Sequence, residues 1–243
     1  VFVIQGGVQA SDRSARYDRS DDSQAKYLFD PKHLEELSTQ AQAEVTALRL
    51  EEDPTQAFEF YNLSEESSHD QASVVEAYKT ERVLQAYESL LQQSYPNKLL
   101  KDSTWVWNNV GGITARVKVL YCTNKEYLVL FGTQTPQEGF SGRYQSMDVW
   151  DVMLTGKMRS FSSEPQQAYP SFYGSRSVSY LPRGEARFYE MEAYTYMADY
   201  GRGSIWRAFW SGIIAPYLFI NHDYVSMSRQ VGDCARSWWQ QNW

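Results

Sequence analysis

The sequence predicts an α+β fold, with a barrel or sandwich of short strands in the middle and helices before and after it. Three observations predict it. Two stretches of helical spacing precede residue 100, a series of short β-rich segments punctuated by glycine and proline follows from 101 to 203, and helical spacing returns from Ser204. At 243 residues and 42% hydrophobic content, the chain can bury one sizeable core and is short for two full domains.

Residues 1–25 lack periodicity and read as a tail or linker, and Val1-Phe-Val-Ile4 is compatible with the stub of a removed anchor or signal. Residues 26–100 form a helical N-terminal region. Leu34, Leu37, Ala41, Val45 and Leu48 recur at helical spacing, with Asp30 placed to cap the turn that begins at Pro31. A second helix, Gln71 to Ser94, carries Val74, Ala77, Val83, Leu84, Tyr87, Leu90 and Leu91 and stops before Pro96. Between them, residues 50–70 read as an acidic, turn-rich insertion, a solvated loop rather than a cation site, with the sequon Asn62-Leu-Ser64 inside it.

The strand region, 101–203, opens with three segments, 105–110, 114–122 and 126–131. The second sets Arg116 and Lys118 against Val117 and Val119, so one of its faces is wet; the third does not alternate and is expected to be central. Gly139 to Tyr144 reads as a turn or bulge, and further segments follow near 146–154, 157–162, 176–181 and 185–200. The last region, 204–243, holds two apolar helices, about Ser204 to Phe219 and Tyr224 to Gln240, separated near Pro216 and Asn221-His222-Asp223. Each is too short, and Arg207, Arg229 and Arg236 are too costly, for a bilayer span. Lying flat among lipid headgroups suits their Trp206, Trp210, Trp238, Trp239 and Trp243; packing inside a soluble oligomer is the alternative.

Composition narrows the function. A net charge of -7 and the lack of any basic stripe argue against nucleic acid as a partner. His33, His69 and His222 are scattered without ligand spacing, so no metal site and no cofactor is expected, and Cys122 and Cys234 read as free, buried thiols. Eight tryptophans and eighteen tyrosines suit the walls of a chamber for an apolar or cationic guest.

One stretch concentrates the chemistry, Ala193-Tyr-Thr-Tyr-Met-Ala-Asp-Tyr-Gly-Arg-Gly203. Strict alternation places Asp199 with Thr195 and Met197, on the strand face opposite Tyr194, Tyr196 and Tyr200. If both faces are covered, the ionised carboxylate is disfavoured and a proton is held near neutral pH. The structural alternative is that Asp199 pairs with Arg202 or Arg143.

Glu126-Tyr-Leu-Val-Leu-Phe-Gly-Thr133, Gly139-Phe-Ser-Gly-Arg-Tyr144, Asp151-Val-Met-Leu-Thr-Gly156, Gly184-Glu-Ala186 and Asp199-Tyr-Gly-Arg-Gly203 follow one another in a characteristic order. In that order and spacing the chain resembles the family of the type-1 sigma receptor and the fungal sterol delta-8 to delta-7 isomerase, over about residues 80 to 240, with Asn108-Asn-Val-Gly-Gly112 and Ala235-Arg236 fitting as well. The resemblance implies a cupin-like β-barrel with the ligand inside and two C-terminal membrane-facing helices. It also implies an N-terminal anchor outside the present chain, homo-oligomers such as a trimer, and residence at the endoplasmic reticulum membrane, peripheral or singly anchored. It places the acid pair on Asp151 and Asp199 and the pocket lining on Tyr127, Phe131, Tyr144, Tyr180, Met191, Ile205, Phe209 and Cys234, to which Tyr196 is added as a substrate-binding candidate.

The chain also departs from the family. Asp199 stands for a glutamate and shortens the reach by one methylene, a residue is inserted between Tyr144 and Asp151, and Tyr180 and Met191 replace a histidine and a tryptophan. These changes lean away from the usual sterol. The function expected is a membrane-associated isomerase or cyclase that protonates an alkene of a sterol-like or isoprenoid lipid. The alternative is a receptor-like binder of hydrophobic amines or sterols without turnover.

Overall fold

The computed structural model describes residues 27–50, 54–63, 70–162 and 170–242. The tail expected over 1–25, and the parts of the insertion at 51–53 and 64–69, including Ser64 of the sequon, lie outside the described residues.

Both expected N-terminal helices form. In α1 (Pro31–Thr46) the Asp30 carboxylate accepts from the Lys32 amide at 3.1 Å, and Pro31 occupies the first turn, where a missing amide costs nothing. Leu34, Leu37, Ala41 and Val45 make its buried stripe. The insertion is not wholly loop: α2 (Thr55–Tyr61) buries Ala57 and Phe58, an apolar pair that the surrounding acidic residues disguised. α3 (Gln71–Ser94) is capped by Asp70, which accepts from the Ser73 amide at 3.0 Å, and buries Val83, Leu84, Tyr87 and Leu91.

Among the described residues ten strands follow: β1 (Val106–Val110), β2 (Ile113–Cys122), β3 (Glu126–Thr133), β4 (Gln137–Phe140), β5 (Met147–Thr155), β6 (Lys157–Ser162), β7 (Ser171–Gly174), β8 (Val178–Leu181), β9 (Arg187–Met191) and β10 (Thr195–Gly203). They form two antiparallel sheets, ordered β1-β2-β3-β10-β5-β8 and β4-β9-β6-β7. Among the described residues neither sheet closes into the expected barrel, because β1 and β8 remain edges and the chain passes between the sheets instead of round a ring. One such passage, from β5 to β6, turns at Gly156 with φ 66°, where a Cβ would collide with Thr195. The segment expected as a turn at Gly139 begins inside β4, whose Gly139 pairs with Tyr189 of β9.

The larger sheet is covered on both faces. On one, Leu128, Leu130, Trp150, Val152, Leu154, Tyr196, Ala198 and Tyr200 pack with the core of α1 and α3. On the other, Ile113, Ala115, Met153 and Met197 meet Met158, Tyr173, Tyr189 and Met191 of the smaller sheet. Beyond the smaller sheet the same inner face is covered by the C-terminal helices, through Val119, Cys122, Ile205, Ile213, Tyr217 and Cys234. β3 is central, between β2 and β10. Its burial does alternate, because Tyr127, Val129 and Phe131 border a cavity while Leu128 and Leu130 are sealed under helices.

The C-terminal region is helical from α4 (Trp206–Phe209) through π-helical turns at Trp210–Ile214 and Tyr217–Asn221, breaks at His222 with φ 51°, where the separation was expected, and resumes as α5 (Tyr224–Asn242). Pro216 does not divide the first segment. It lies between the two widened turns, where the hydrogen-bond ladder is already irregular. The Gly212 carbonyl accepts from Asn108 Nδ2 at 2.7 Å, and the Tyr217 hydroxyl donates to the Trp107 carbonyl at 2.9 Å. A buried polar clasp thus fastens this helix to β1. No helix among the described residues is long and apolar enough to cross a membrane.

Candidate functional site

β10 and β5 are neighbours, and their register sets Asp199 directly opposite Asp151. Alternation turns both carboxyls to the inner face, along with Val149, Met153 and Met197, while Trp150, Val152, Ala198 and Tyr200 turn to the helices. Asp151 is 9% exposed, and the surface left on Asp199 borders the cavity. The Tyr127 hydroxyl donates to Asp199 Oδ1 at 2.9 Å. Gly201, the β10 partner of Tyr127, permits that contact, since a Cβ there would collide with the Tyr127 ring.

Burial disfavours charge on both acids. It lifts the Asp151 carboxyl to about 6, against a smaller opposing pull from Ser179 and Arg187. Asp199 is held well above the ordinary range, by burial first and by the negative charge of Asp151 second. No hydrogen bond joins the two carboxyls among the described residues, so their coupling is one of charge. Desolvation also raises the Tyr127 and Tyr144 hydroxyls, the latter to about 12, which keeps both protonated as donors.

Two other buried acids are treated differently. Asp148 accepts from Arg183 Nη2 at 2.6 Å and Nε at 2.8 Å, and Glu126 accepts from the Leu28 amide at 2.8 Å and the Tyr200 hydroxyl at 2.9 Å. Among the described residues Asp151 and Asp199 have no such ion pair. The alternative partners for Asp199 are occupied elsewhere: Arg202 Nη2 donates to the Phe29 carbonyl at 3.0 Å, and Arg143 donates to the Gly184 carbonyl.

The space in front of the pair has two lobes that share part of their lining, each a cavity of about 80 Å³. Tyr127, Phe131, Tyr144 and Asp199 line both. Ile205, Phe209 and Cys234 line the lobe beneath the C-terminal helices, and Asp151 and Met191 the lobe beneath the smaller sheet. Tyr180 and Tyr196 do not line it. Tyr180 stacks on Trp150 at 5.0 Å and donates to Asp148 at 3.0 Å, while Tyr196 meets Trp105 at 6.0 Å and Arg116 Nη1 at 3.4 Å, both on the helix-covered face. Strand alternation decides it, since each lies one residue from an inward position. Sequence reasoning missed Val149, Leu181 and Tyr189, which line the second lobe. Counting alternation back from Asp151 would have found the first of these. Cys122 and Cys234 are free and buried, and both line the first lobe.

Comparison with known proteins agrees with the ordered motifs. The sequence model of a family described as "ERG2 and Sigma1 receptor like protein" matches residues 53–241. The C-8 sterol isomerase erg2 of Aspergillus fumigatus is 31% identical over 168 residues, covering 68% of this chain and 65% of that protein. The C-8 sterol isomerase of Pyricularia oryzae is 29% identical over 182 residues, covering 74% and 66%. The sigma non-opioid intracellular receptor 1 of Xenopus tropicalis is 30% identical over 139 residues, covering 56% and 61%. The chain thus spans at most 66% of the length of these relatives. An RmlC-like cupin from Shewanella frigidimarina superposes with a TM-score of 0.36 at 9% identity, over 46% of this chain and 98% of that one, too slight a likeness to argue from. With most of its length matched by one family, the chain belongs to the ERG2 and Sigma1 receptor like proteins.

Proposed function

We propose that the chain is an isomerase of the C-8 sterol isomerase kind, moving protons at an alkene of a sterol-like or isoprenoid lipid held against Asp199 and Asp151. The single observation that carries this reading is the facing of two buried acids, neither ion-paired among the described residues, on a cavity lined mainly by apolar and aromatic side chains. An acid kept protonated near neutral pH can give its proton to an alkene carbon. Its ionised neighbour offsets the charge of the carbocation and a base then takes a proton from the adjacent carbon. The rings of Tyr127, Phe131, Tyr144 and Phe209 present negative faces to that cation and exclude water. Isomerisation and protonation-initiated cyclisation share this first step and differ in what the cation meets next.

Trp206, Trp210, Phe219, Trp238 and Trp239 are exposed on the C-terminal helices, which supports placement of that surface against a membrane, where such a lipid resides. Self-association and residence at the endoplasmic reticulum belong to the same reading. The second reading, a binder of hydrophobic amines, is favoured by the sigma receptor relatives, since an ammonium would be held by the same pair. Purified protein incubated with a C-8 sterol and with linear isoprenoids, followed by mass spectrometry, separates them. The expected result is a product that falls at least about a hundredfold in Asp199→Asn and in Asp151→Asn. Tight amine binding with no product from either lipid class would overturn the isomerase reading, and turnover that survives both substitutions would overturn the role of the pair.

A further inference from the structure

The two acids of the pair sit in unequal surroundings, and the inequality comes from side chains behind the cavity wall. Ser179 of β8 is the cross-strand partner of Asp151, on the side away from Asp199, so Ser179, Asp151 and Asp199 stand in one row over three adjacent strands. Ser179 is fully buried, and its hydroxyl closes no hydrogen bond of standard geometry among the described residues. Its polar neighbours are the Asp151 carboxyl and the Tyr189 hydroxyl. Arg187 comes from the inner face of β9 in the opposite sheet. Its Nη1 reaches the Tyr173 hydroxyl at 3.4 Å and its Nη2 reaches Glu185 at 3.5 Å, while its Nε is buried with no partner among the described residues.

The titratable groups facing the pair are Tyr127 from β3, Tyr144 after β4, Tyr189 and Arg187 from β9, and Cys234 of α5 across the lobe next to Asp199. Among the described residues Arg187 is the cation of this set, and its charge favours the ionised form of Asp151, though less than burial opposes it. Among the described residues Asp199 meets the Tyr127 hydroxyl, Tyr144 and the charge of Asp151.

We propose that Ser179 and Arg187 are positioning residues that fix the pair's single proton on Asp199 and its negative charge on Asp151, making Asp199 the acid and Asp151 the base. The assignment of acid and base rests on the isomerase reading, whereas the placement of the proton does not require turnover. In the step so assigned, the alkene π pair takes the proton from Asp199, leaving its carboxylate and a carbocation. A C–H bond on the adjacent carbon then breaks, its electron pair closes the new double bond, and its proton passes to Asp151. Return of that proton from Asp151 to Asp199, directly or by exchange with water, restores the pair with nothing gained or lost.

The test is a carbon-13 aspartate NMR titration of the whole chain, assigned with Asp151→Asn and Asp199→Asn, and repeated in Arg187→Gln, Ser179→Ala and Arg187→Lys. The expected result is an upward move of the Asp151 midpoint in Arg187→Gln, about tenfold in proton affinity, a smaller upward move in Ser179→Ala, and recovery in Arg187→Lys. Should Arg187→Gln fail to fold, Ser179→Ala carries the same test. An Asp151 midpoint unmoved in folded variants, or a proton found on Asp151 in the unsubstituted protein, overturns the proposal. Two aspartates that both ionise in the ordinary range overturn it together with the isomerase reading. The expected titration with no lipid turned over upholds the proton placement and removes the isomerase reading alone.

Discussion

Asp199 and Asp151 cost the folded state free energy at neutral pH, because folding takes both carboxyls from water and, among the described residues, gives neither an ion pair. Their folded pKa values are raised, so between the ordinary carboxylate range and the raised values the folded chain retains a proton that the unfolded chain has released. Stability therefore falls as pH rises through that window, about 4 to about 6 for Asp151 and higher for Asp199, and the penalty is complete above it. Thermal unfolding should show Asp151→Asn and Asp199→Asn each more stable than the parent at about pH 8, by about 1–3 kcal/mol, and level with it at about pH 3.5. A substitution that destabilises equally at both values would contradict the burial of the pair. Asp199 was legible in the sequence because alternation separated it from its tyrosines. Tyr196 and Tyr180 were misplaced by a single residue each, which in a strand exchanges one face for the other.

At the scale of elements, the hairpin β1-β2 and the C-terminal helix depend on one clasp. Asn108 is 1% exposed, and its amide donates to Gln230 Oε1 of α5 at 3.2 Å and to the Gly212 carbonyl at 2.7 Å, the latter in a π turn that frees backbone carbonyls from their usual partners. Replacing Asn108 by Ala should cost about 1–3 kcal/mol and speed amide exchange over 206–221 while leaving β5 and β10 protected, as hydrogen exchange can read. Uniform loss of protection would mean that the clasp serves the whole fold and not the cover of the cavity. α1 and α3 were readable from spacing and caps because their buried stripes are long. β4 and β7 were not, since four residues with a glycine and polar neighbours carry too little pattern. The helix over 206–221 was readable as about Ser204 to Phe219 from its apolar spacing, but its π turns on either side of Pro216 were not, because no residue pattern marks a widened turn.

At the scale of the molecule, the larger sheet is a wall between two kinds of interior. Behind it, α1 and α3 close a core in which Asp148 and Glu126 have fixed partners; in front, the smaller sheet and the C-terminal helices leave a cavity into which Asp199 and Asp151 face. That two acids from separate segments would meet was implied by ordered motifs and by no local pattern, since the antiparallel pairing of β5 with β10 joins residues 48 positions apart by numbering, 151 and 199. The central claim, that this pair delivers a proton to carbon, is tested most directly by running the reaction in heavy water. Between turnovers the pair exchanges its proton with solvent, so the account predicts an isomerised or cyclised lipid carrying deuterium at the protonated carbon, and no such product from Asp199→Asn. A product formed without deuterium, or deuterated product undiminished in Asp199→Asn, would contradict it.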